Sequence, residues 1–455
     1  MNYRRLLNLA GYMLLGYAVT LLLIGVKYAI EHTGWGEEAQ KVAYRALLGQ
    51  LSEIDRDGPP VVVADISQIP GGRVGEPTPR ADLMKILKAL VDKSPRAIAL
   101  DIDFSPGATG LREGDKELFD YCLKVTREQH VPVFLGVYNA QAEDRDTWLG
   151  LPEYAEMAVS LDILPDTSRL PVSVQAEGVD TPLPSLGAAL ARVYREEVAV
   201  EGPPDWIRGA VETDEMNLPA TQRYKPPGLV FTYELVPANY SKLDQIKAAS
   251  REIKTEQSVI ESGNRFKNKL VILGDGTTGS DQYVVEGRPM PVLGAFLHAS
   301  TAYTLAREPL YEFTESARLW LDFAVSSVVI FLVVLVRVFN PDEEKDDAWH
   351  SRRRKYVAGV VILTLIGGIL LVRGLKVMWF DFLPVAIALV LHGSVEDRVH
   401  GPLSALWRRA TGARAGGDAG GGGEGEGGGG GGEGTESVPA AEAGHAPDAA
   451  LKSEV

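Results

Sequence analysis

Hydrophobic positions gather in four long runs, one at the start of the chain and three near its end. The first covers residues 6–26, and the others fall between residues 318 and 393. Each is close to the roughly 20 residues that an α-helix needs to cross a bilayer. Arg4 and Arg5 precede the first run, and basic residues 352–355 follow the second. Because positive segments stay cytoplasmic, this pattern predicts four crossings, two cytoplasmic termini and an outer domain between the first two helices.

These runs divide the chain into four regions. Residues 1–30 are predicted to hold the cytoplasmic N-terminus and the first membrane helix, and residues 31–316 the outer domain. Residues 317–396 would form the other three membrane helices, and residues 397–455 a basic stub with a glycine-rich tail. The tail contains almost no large apolar side chains, so we expect it to be disordered.

Short apolar stretches alternate with amphipathic segments through much of the outer domain. The stretches predict strands and the segments predict helices: strands at 61–67, 97–104, 131–138 and 267–275, and helices at 81–93, 115–129, 183–198 and 296–307. Strands that are apolar throughout are typical of a parallel sheet with both faces covered. The predicted fold class is therefore an α/β extracytoplasmic domain with a mostly parallel sheet covered by helices, plus a four-helix transmembrane region.

The net charge argues against one class of partner, and the cysteine content excludes one source of stability. The formal net charge is −15. An acidic chain lacks the basic surface that nucleic acids require, so we expect no nucleic-acid partner. Cys122 is the only cysteine, which excludes an internal disulfide. The outer domain must therefore be stabilised by its hydrophobic core.

Acidic residues follow several of the predicted strands. Asp65 ends the first strand, Asp101 and Asp103 end the second, and Asp275 ends the last, with Asp281 just beyond. Ligands of open parallel sheets bind outside the carboxyl ends of the strands. If these strands share a sheet, their acids should converge on one edge. The alternative is that these aspartates cap the turns and helices that follow.

The order of these segments resembles the CHASE-2 domain, the second class of cyclase- and histidine-kinase-associated extracellular sensory domains. The resemblance covers about residues 55–311 and includes one anchor before the domain and three helices after it. Its motifs here are VVVADIS, Arg80 opening a helix, AIALDIDFSPG, VPVFLGVY, LPSLGAALAR and FKNKLVILGDGTTGSDQY, then the helix with His298. The acidic residue usual before the histidine is absent, because Leu297 occupies that position.

The resemblance implies a sensor in a bacterial cytoplasmic (inner) membrane, with its sensory domain outside. The positions it suggests for ligand contact are Arg80, Asp101, Asp103, Asp281 and His298. Arg80 could instead form a structural ion pair, and His298 could be a packing histidine. The resemblance implies no cofactor and no catalytic residue, and it leaves open whether the acidic edge binds a metal.

The expected partners follow from the same resemblance. An unknown ligand or envelope protein would bind the outer domain, and membrane lipids would surround the helices. Family members usually carry an output module, and none is recognisable in this sequence. The signal would then pass to a separately encoded cytoplasmic partner. Such sensors often act as homodimers.

Two other functions compete with sensing. The chain could be a scaffold of an envelope complex, or a divalent-metal-dependent phosphohydrolase of the haloacid-dehalogenase type. The enzyme would use Asp101 as nucleophile and Asp103 as acid/base with a magnesium ion. Phe104 stands where that family has Thr or Val, and we find no clear motif lysine. We therefore predict that the chain is not an enzyme.

Overall fold

Fourteen β-strands occur in the described part of the computed structural model. It describes residues 42–51, 58–69, 71, 78–106, 111–138, 147–164, 169–177, 181–200, 202–213, 219, 221–227, 229–277, 281–285, 288, 290–339 and 347–379, with scattered positions between 10 and 33. The strands are β1 (Val61–Asp65), β2 (Ala97–Leu100), β3 (Val133–Val137), β4 (Ala158–Ser160), β5 (Arg169–Ala176), β6 (Leu183–Pro184), β7 (Gln222–Tyr224), β8 (Phe231–Pro237), β9 (Arg251–Glu252), β10 (Leu270–Gly274), β11 (Gln282–Tyr283), β12 (Val292–Leu293), β13 (Tyr311–Glu312) and β14 (Val377–Met378).

Ten α-helices with defined bounds alternate with these strands in the described residues. They are α1 (Arg80–Val91), α2 (Asp115–Glu128), α3 (Pro152–Ala155), α4 (Leu186–Glu197), α5 (Asp205–Arg208), α6 (Leu243–Ala249), α7 (Glu256–Glu261), α8 (Gly294–Arg307), α9 (Glu315–Phe339) and α10 (Asp347–Leu375). The main helices of the outer domain match the predicted ones to within a few residues.

The main sheet has six strands in the order β4-β3-β2-β10-β1-β9. Every neighbouring pair in it is parallel. Strand β10, the last of the six along the chain, lies between β1 and β2. The carboxyl ends of β1, β10 and β2 are therefore side by side, which confirms the predicted mostly parallel sheet.

Both faces of this sheet are covered by helices, as the apolar strands predicted. In β1, Val62 and Ala64 pack into one core while Val61 and Val63 pack into the other. This alternation follows from the two-residue period of a strand. Residues of α1, α2 and α7 complete the first core, and residues of α4, α6 and α8 complete the second. Helix α8 is buried along almost its whole length.

A second, antiparallel sheet lies in the part of the sequence that gave no clear prediction. Its order is β6-β5-β8-β7, and β5 pairs with β8 from Arg169 to Ala176. Half-buried residues recur at every third position of strand β5, with buried residues between them. That pattern is not a clean alternation, because the pairing register shifts between Pro171 and Ser173.

The segments that flank α9 and α10 meet in a short parallel pair. Strand β13 precedes α9, β14 follows α10, and Tyr311 pairs with Val377. Around them lies a buried group that we call the junction cluster: Tyr44, Leu47, Leu48, Leu51, Ile207, Val211, Leu310, Tyr311, Phe313, Val372, Val377, Met378 and Trp379. Helix α10 begins at Asp347, within a charged segment predicted to be a loop.

The predicted membrane helices correspond only in part to described residues. Helix α9 coincides with the second apolar run, and α10 contains the third. About half of the first run, all of residues 380–396 and the tail lie outside the described residues. In the described part of the chain, no helix has both the length and the apolar character needed to span a bilayer.

Candidate functional site

Acidic residues stand at the carboxyl ends of three neighbouring strands of the main sheet. Asp65 is the last residue of β1, Asp101 follows β2, and Asp275 follows β10. Two of them, Asp65 and Asp275, accept hydrogen bonds from backbone N–H groups in the adjacent turns. Asp65 Oδ1 accepts hydrogen bonds from the backbone N–H groups of Ser67 and Gly276, both at 2.9 Å. Asp275 Oδ1 accepts one from the backbone N–H of Thr277 at 2.9 Å. These two acids therefore play the turn-capping role described above.

Asp101 differs from these two turn-forming acids. Its side chain is only 8% exposed, and burial raises its pKa to about 8, with further contributions from nearby Asp281 and Asp275. No lysine or arginine pairs with Asp101 among the described residues, so no cation offsets its burial. At neutral pH this carboxyl group is therefore mostly protonated.

His298 of α8 faces Asp101. Its Nε2 lies 3.8 Å from Asp101 Oδ1, and its side chain is 3% exposed. Burial lowers the histidine pKa to about 4, and a hydrogen bond to the backbone of Leu161 partly opposes this shift. The imidazole is therefore neutral at pH 7. A distance of 3.8 Å is too long for a direct hydrogen bond, so the pair is neither ionic nor directly bonded.

Asp281 reaches the same place from the hairpin formed by β11 and β12. The backbone N–H of Gly294 donates to the Asp281 carbonyl at 3.1 Å. A Cβ on Gly294 would lie 2.1 Å from Asp281 Oδ2, so a side chain at this position would displace the carboxyl group. Burial raises the pKa of Asp281, while hydrogen bonds with the Tyr283 hydroxyl and the Gly294 backbone lower it. The hairpin thus holds Asp281 against the first turn of α8.

Two tyrosines complete the group that we call the edge cluster: Asp101, Asp281, His298, Tyr138 and Tyr283. Burial raises the pKa of Tyr138, and the charges of Asp101 and Asp281 add to the shift. Burial also raises the pKa of Tyr283, and the charge of Asp281 and its hydrogen bond with the tyrosine raise it further. Both phenols therefore stay protonated and can donate hydrogen bonds. Neither tyrosine was singled out from the sequence, although Tyr138 directly follows β3.

Asp103 lies outside this buried group. It is exposed, and its Oδ1 accepts a hydrogen bond from the backbone N–H of Ser105 at 2.8 Å. The sequence placed Asp101 and Asp103 at the end of the second strand, but β2 ends at Leu100, so both residues lie in the segment that follows it. Asp103 still contributes to the raised pKa of Tyr138, which places it near the rim of the edge cluster.

Arg80 makes structural contacts on the other side of the sheet. Its Nε donates to Asp115 Oδ1 at 2.5 Å, and both side chains are 7% exposed. Its Nη1 donates to the Thr78 carbonyl at 3.3 Å, and its guanidinium lies 4.4 Å from the centre of the Phe104 ring. These contacts match the structural ion pair named above as an alternative, with Asp115 rather than a strand-end acid as partner.

A small pocket of about 20 Å³ lies beside the edge cluster, with Tyr138, Asp162, Val174 and Phe231 among its lining residues. Burial raises the pKa of Asp162 to about 6, and the Ser160 hydroxyl opposes the shift. Asp162 follows β4 by two residues, so the same strand-end reasoning could have found it.

The edge cluster offers hydrogen-bond donors, acceptors and exchangeable protons. Among the described residues, no three His, Cys, Asp or Glu side chains are placed to hold a metal ion together. The groups of the edge cluster can recognise a ligand by hydrogen bonds and can take up or release a proton.

Comparison with known proteins identifies one family. The CHASE2 domain matches residues 19–337, well over half of the chain. No curated protein and no solved structure matches. The matched segment contains both sheets and every residue of the edge cluster. The chain therefore belongs to the CHASE2 domain family, a family of sensory domains.

Proposed function

We propose that this chain is a membrane-anchored extracytoplasmic sensor and that the edge cluster receives its signal. The observation that carries the proposal is the state of Asp101. It is a buried carboxyl group with a pKa of about 8, at the sheet edge where open α/β folds bind ligands. Perturbed titratable groups in such positions are typical of functional sites.

Asp115, which is paired with Arg80, is a buried acid of the same domain that can be compared with Asp101. Asp115 is as buried as Asp101, but an arginine contacts it at 2.5 Å. Asp101 faces neutral His298 and acidic Asp281 instead. A ligand that donates hydrogen bonds or carries positive charge would supply what this carboxyl group lacks. Such a ligand would shift Asp101 toward its ionised form.

The proposed location is the bacterial cytoplasmic membrane, with the sensor domain outside and both termini inside. The apolar runs and the adjacent basic segments of the sequence support it. Exposed apolar side chains on α9 and α10 also support it, because lipid would cover them: Leu319, Trp320, Val328, Phe331, Ile362, Leu363, Ile366 and Leu370. We propose that the chain acts as a homodimer and that a separately encoded cytoplasmic partner completes the output.

Recognition is favoured over catalysis at this site. A phosphohydrolase would need Asp101 as an ionised nucleophile, but burial raises its pKa to about 8. The described contacts of Asp103 are those of a turn acceptor. We therefore propose a binding site without a cofactor and without a catalytic residue.

The test is thermal unfolding of the full chain in nanodiscs against separate probes. The probes are spermidine, magnesium, calcium, inorganic phosphate and a panel of envelope metabolites. A ligand present at 100 times its Kd should stabilise the folded state by about 2.7 kcal/mol. A stabilising compound whose effect disappears in Asp101→Asn would support the proposed site.

Glu128→Gln is the matched control, because Glu128 is an exposed acid at the end of α2. Its response to the compound should equal that of the wild type. Stabilisation that survives Asp101→Asn would place the ligand elsewhere. If every probe fails and an envelope protein co-purifies instead, the scaffold function replaces the proposed one. Hydrolysis of a phosphate ester in the presence of magnesium would favour the enzyme.

A further inference from the structure

Trp206 is the most exposed large apolar side chain among the described residues, at 75%. It lies on α5, and the next residue, Ile207, is buried in the junction cluster. The burial of Ile207 fixes the short helix, so Trp206 is held outward. An indole exposed in this way leaves a large apolar surface in water unless something else covers it.

The backbone places α5 beside the start of α9. The N–H of Glu212 donates to the Glu312 carbonyl at 3.0 Å, and the N–H of Thr314 donates to the Ala210 carbonyl at 3.1 Å. Helix α9 begins at the next residue, Glu315. Trp206 precedes Ala210 by only four residues. It therefore lies at the end of the outer domain from which α9 departs.

Helix α9 exposes a second tryptophan near its start. Trp320 is 69% exposed and Leu319 is 44% exposed. Trp320 is five residues beyond Glu315, which corresponds to about 7.5 Å along the helix axis. Tryptophan is enriched where a bilayer meets water, because its ring is apolar and its N–H still needs a polar partner.

We propose that α5 is a lipid-binding element that places Trp206 in the headgroup layer of the bilayer. The outer domain would then touch the membrane surface beside α9 as well as being tethered to it. Arg208, at the end of α5, is 47% exposed and pairs through Nη2 with Asp205 at 3.3 Å. The other donors of its guanidinium can contact lipid phosphate. This inference rests on the membrane location in the proposed function, and it adds a contact that the location alone does not require.

The test measures the depth of a nitroxide at position 206 in the full chain. Trp206→Cys would be spin-labelled and placed in nanodiscs of phosphatidylcholine and phosphatidylglycerol. The native Cys122 should not react, because it is buried and burial raises its pKa to about 12. Ile260→Cys is the control, since Ile260 is 49% exposed and lies on α7. We expect collisions with oxygen, relative to a water-soluble nickel complex, to be several-fold more frequent at position 206.

Three other outcomes would contradict lipid contact by α5, and one of them would also contradict the membrane location. If the chain does not enter nanodiscs, the membrane location and this inference both fail. If it enters them and both labels report water, the location stands and lipid contact by α5 is wrong. If the label at position 206 is shielded from both reagents, a protein surface covers Trp206, and the lipid inference is wrong.

Discussion

His298 Nε2 lies 3.8 Å from Asp101 Oδ1, and neither side chain is charged at neutral pH. Burial is the first cause in both cases, raising the pKa of Asp101 to about 8 and lowering that of His298 to about 4. In water the same two groups would ionise and attract each other. The fold keeps an acid and a base in contact range without charge, so a change in the surroundings can alter the protonation of either.

Replacement of Asp101 by asparagine should change how stability depends on pH. The pKa of Asp101 rises from 3.8 to about 8 on folding, so between these values the folded state binds more protons than the unfolded state. Its contribution to stability therefore falls as the pH rises through this window, by at most about 1.4 kcal/mol per pH unit. We expect Asp101→Asn to gain stability relative to the wild type as the pH rises from 5 to 8, measured by urea unfolding in nanodiscs.

His298 acts in the opposite direction but does not affect this comparison. Its pKa falls from 6.5 to about 4 on folding, so its contribution to stability is lost as the pH falls through that range. Both proteins retain His298, and its effect cancels in the difference to first order. Parallel stability curves for the wild type and Asp101→Asn would contradict the raised pKa of Asp101.

Gly187 allows close packing between α4 and α8, the helix that bears His298. A Cβ at position 187 would lie 2.4 Å from Thr301 Cβ and 2.7 Å from the His298 carbonyl oxygen. Gly187→Ala must therefore push the two helices apart. Overpacking of this kind costs about 1–3 kcal/mol. We expect a loss of that size in the free energy of unfolding.

Gly209→Ala is the control for this substitution. No atom lies within 4 Å of a Cβ built there, and the φ of Gly209 is −72°, which alanine adopts readily. Its effect should be within about 0.5 kcal/mol. Equal losses in the two variants would show that contact with α8 is not the cause.

The Arg80–Asp115 pair should be essential for folding stability. Arg80→Met would leave Asp115 buried without a cation, which costs about 3–5 kcal/mol. Lys85→Met removes the exposed pair with Asp82, where the side chains are 62% and 44% exposed, and should cost at most about 1 kcal/mol. Urea unfolding distinguishes the two losses.

A double variant separates the lost pair from general damage at this site. Arg80→Met combined with Asp115→Leu removes both charges, so it should regain most of the stability that Arg80→Met loses. If the double variant is no more stable than Arg80→Met, loss of packing against Phe104 explains the effect instead.

The parts of the fold that could be predicted from the sequence were those with one dominant pattern. The strands β1, β2, β3 and β10 are apolar throughout because both faces of the sheet are covered, and that pattern needs no partner to be recognised. The antiparallel sheet was missed because β5 mixes half-buried and buried positions around a shift in register. Helix α10 begins in a charged segment because Ala, Arg and Lys, which occur in its first turns, are good helix formers.

Three residues of the edge cluster were singled out from the sequence: Asp101 from its place after a strand, and Asp281 and His298 through the resemblance to the sensory family. Asp101 was found because it follows an apolar strand. Asp103 was grouped with it because the strand seemed to continue, whereas β2 ends at Leu100. Asp281 directly precedes the strand β11, and Tyr283 lies in that two-residue strand, whose sequence has no distinctive pattern. Their place beside Asp101 depends on tertiary pairing with β12, which no local rule specifies.

Glu312 links the antiparallel sheet to the start of α9. Arg169, the first residue of β5, donates from Nη2 to both carboxylate oxygens of Glu312 at 2.7 Å. Arg318, in the first turn of α9, donates to Oε2 at 3.3 Å. The other end of β5 lines the pocket beside the edge cluster, through Val174 and Ala176. Strand β5 and this carboxylate therefore form a continuous physical connection between the pocket and the start of α9.

Replacement of Glu312 by glutamine should loosen this connection. The glutamine keeps the shape but loses the charge that two guanidinium groups share, and we expect a loss of about 1–3 kcal/mol, since Arg169 and Arg318 are partly exposed. Hydrogen exchange should become faster at the amides of residues 314–318, with little change in β1 or β10. Glu252→Gln, which removes an exposed pair with Lys254, should leave exchange at residues 314–318 unchanged. Uniform acceleration throughout the domain would instead indicate global destabilisation, and Glu312 would then not be a specific link between β5 and α9.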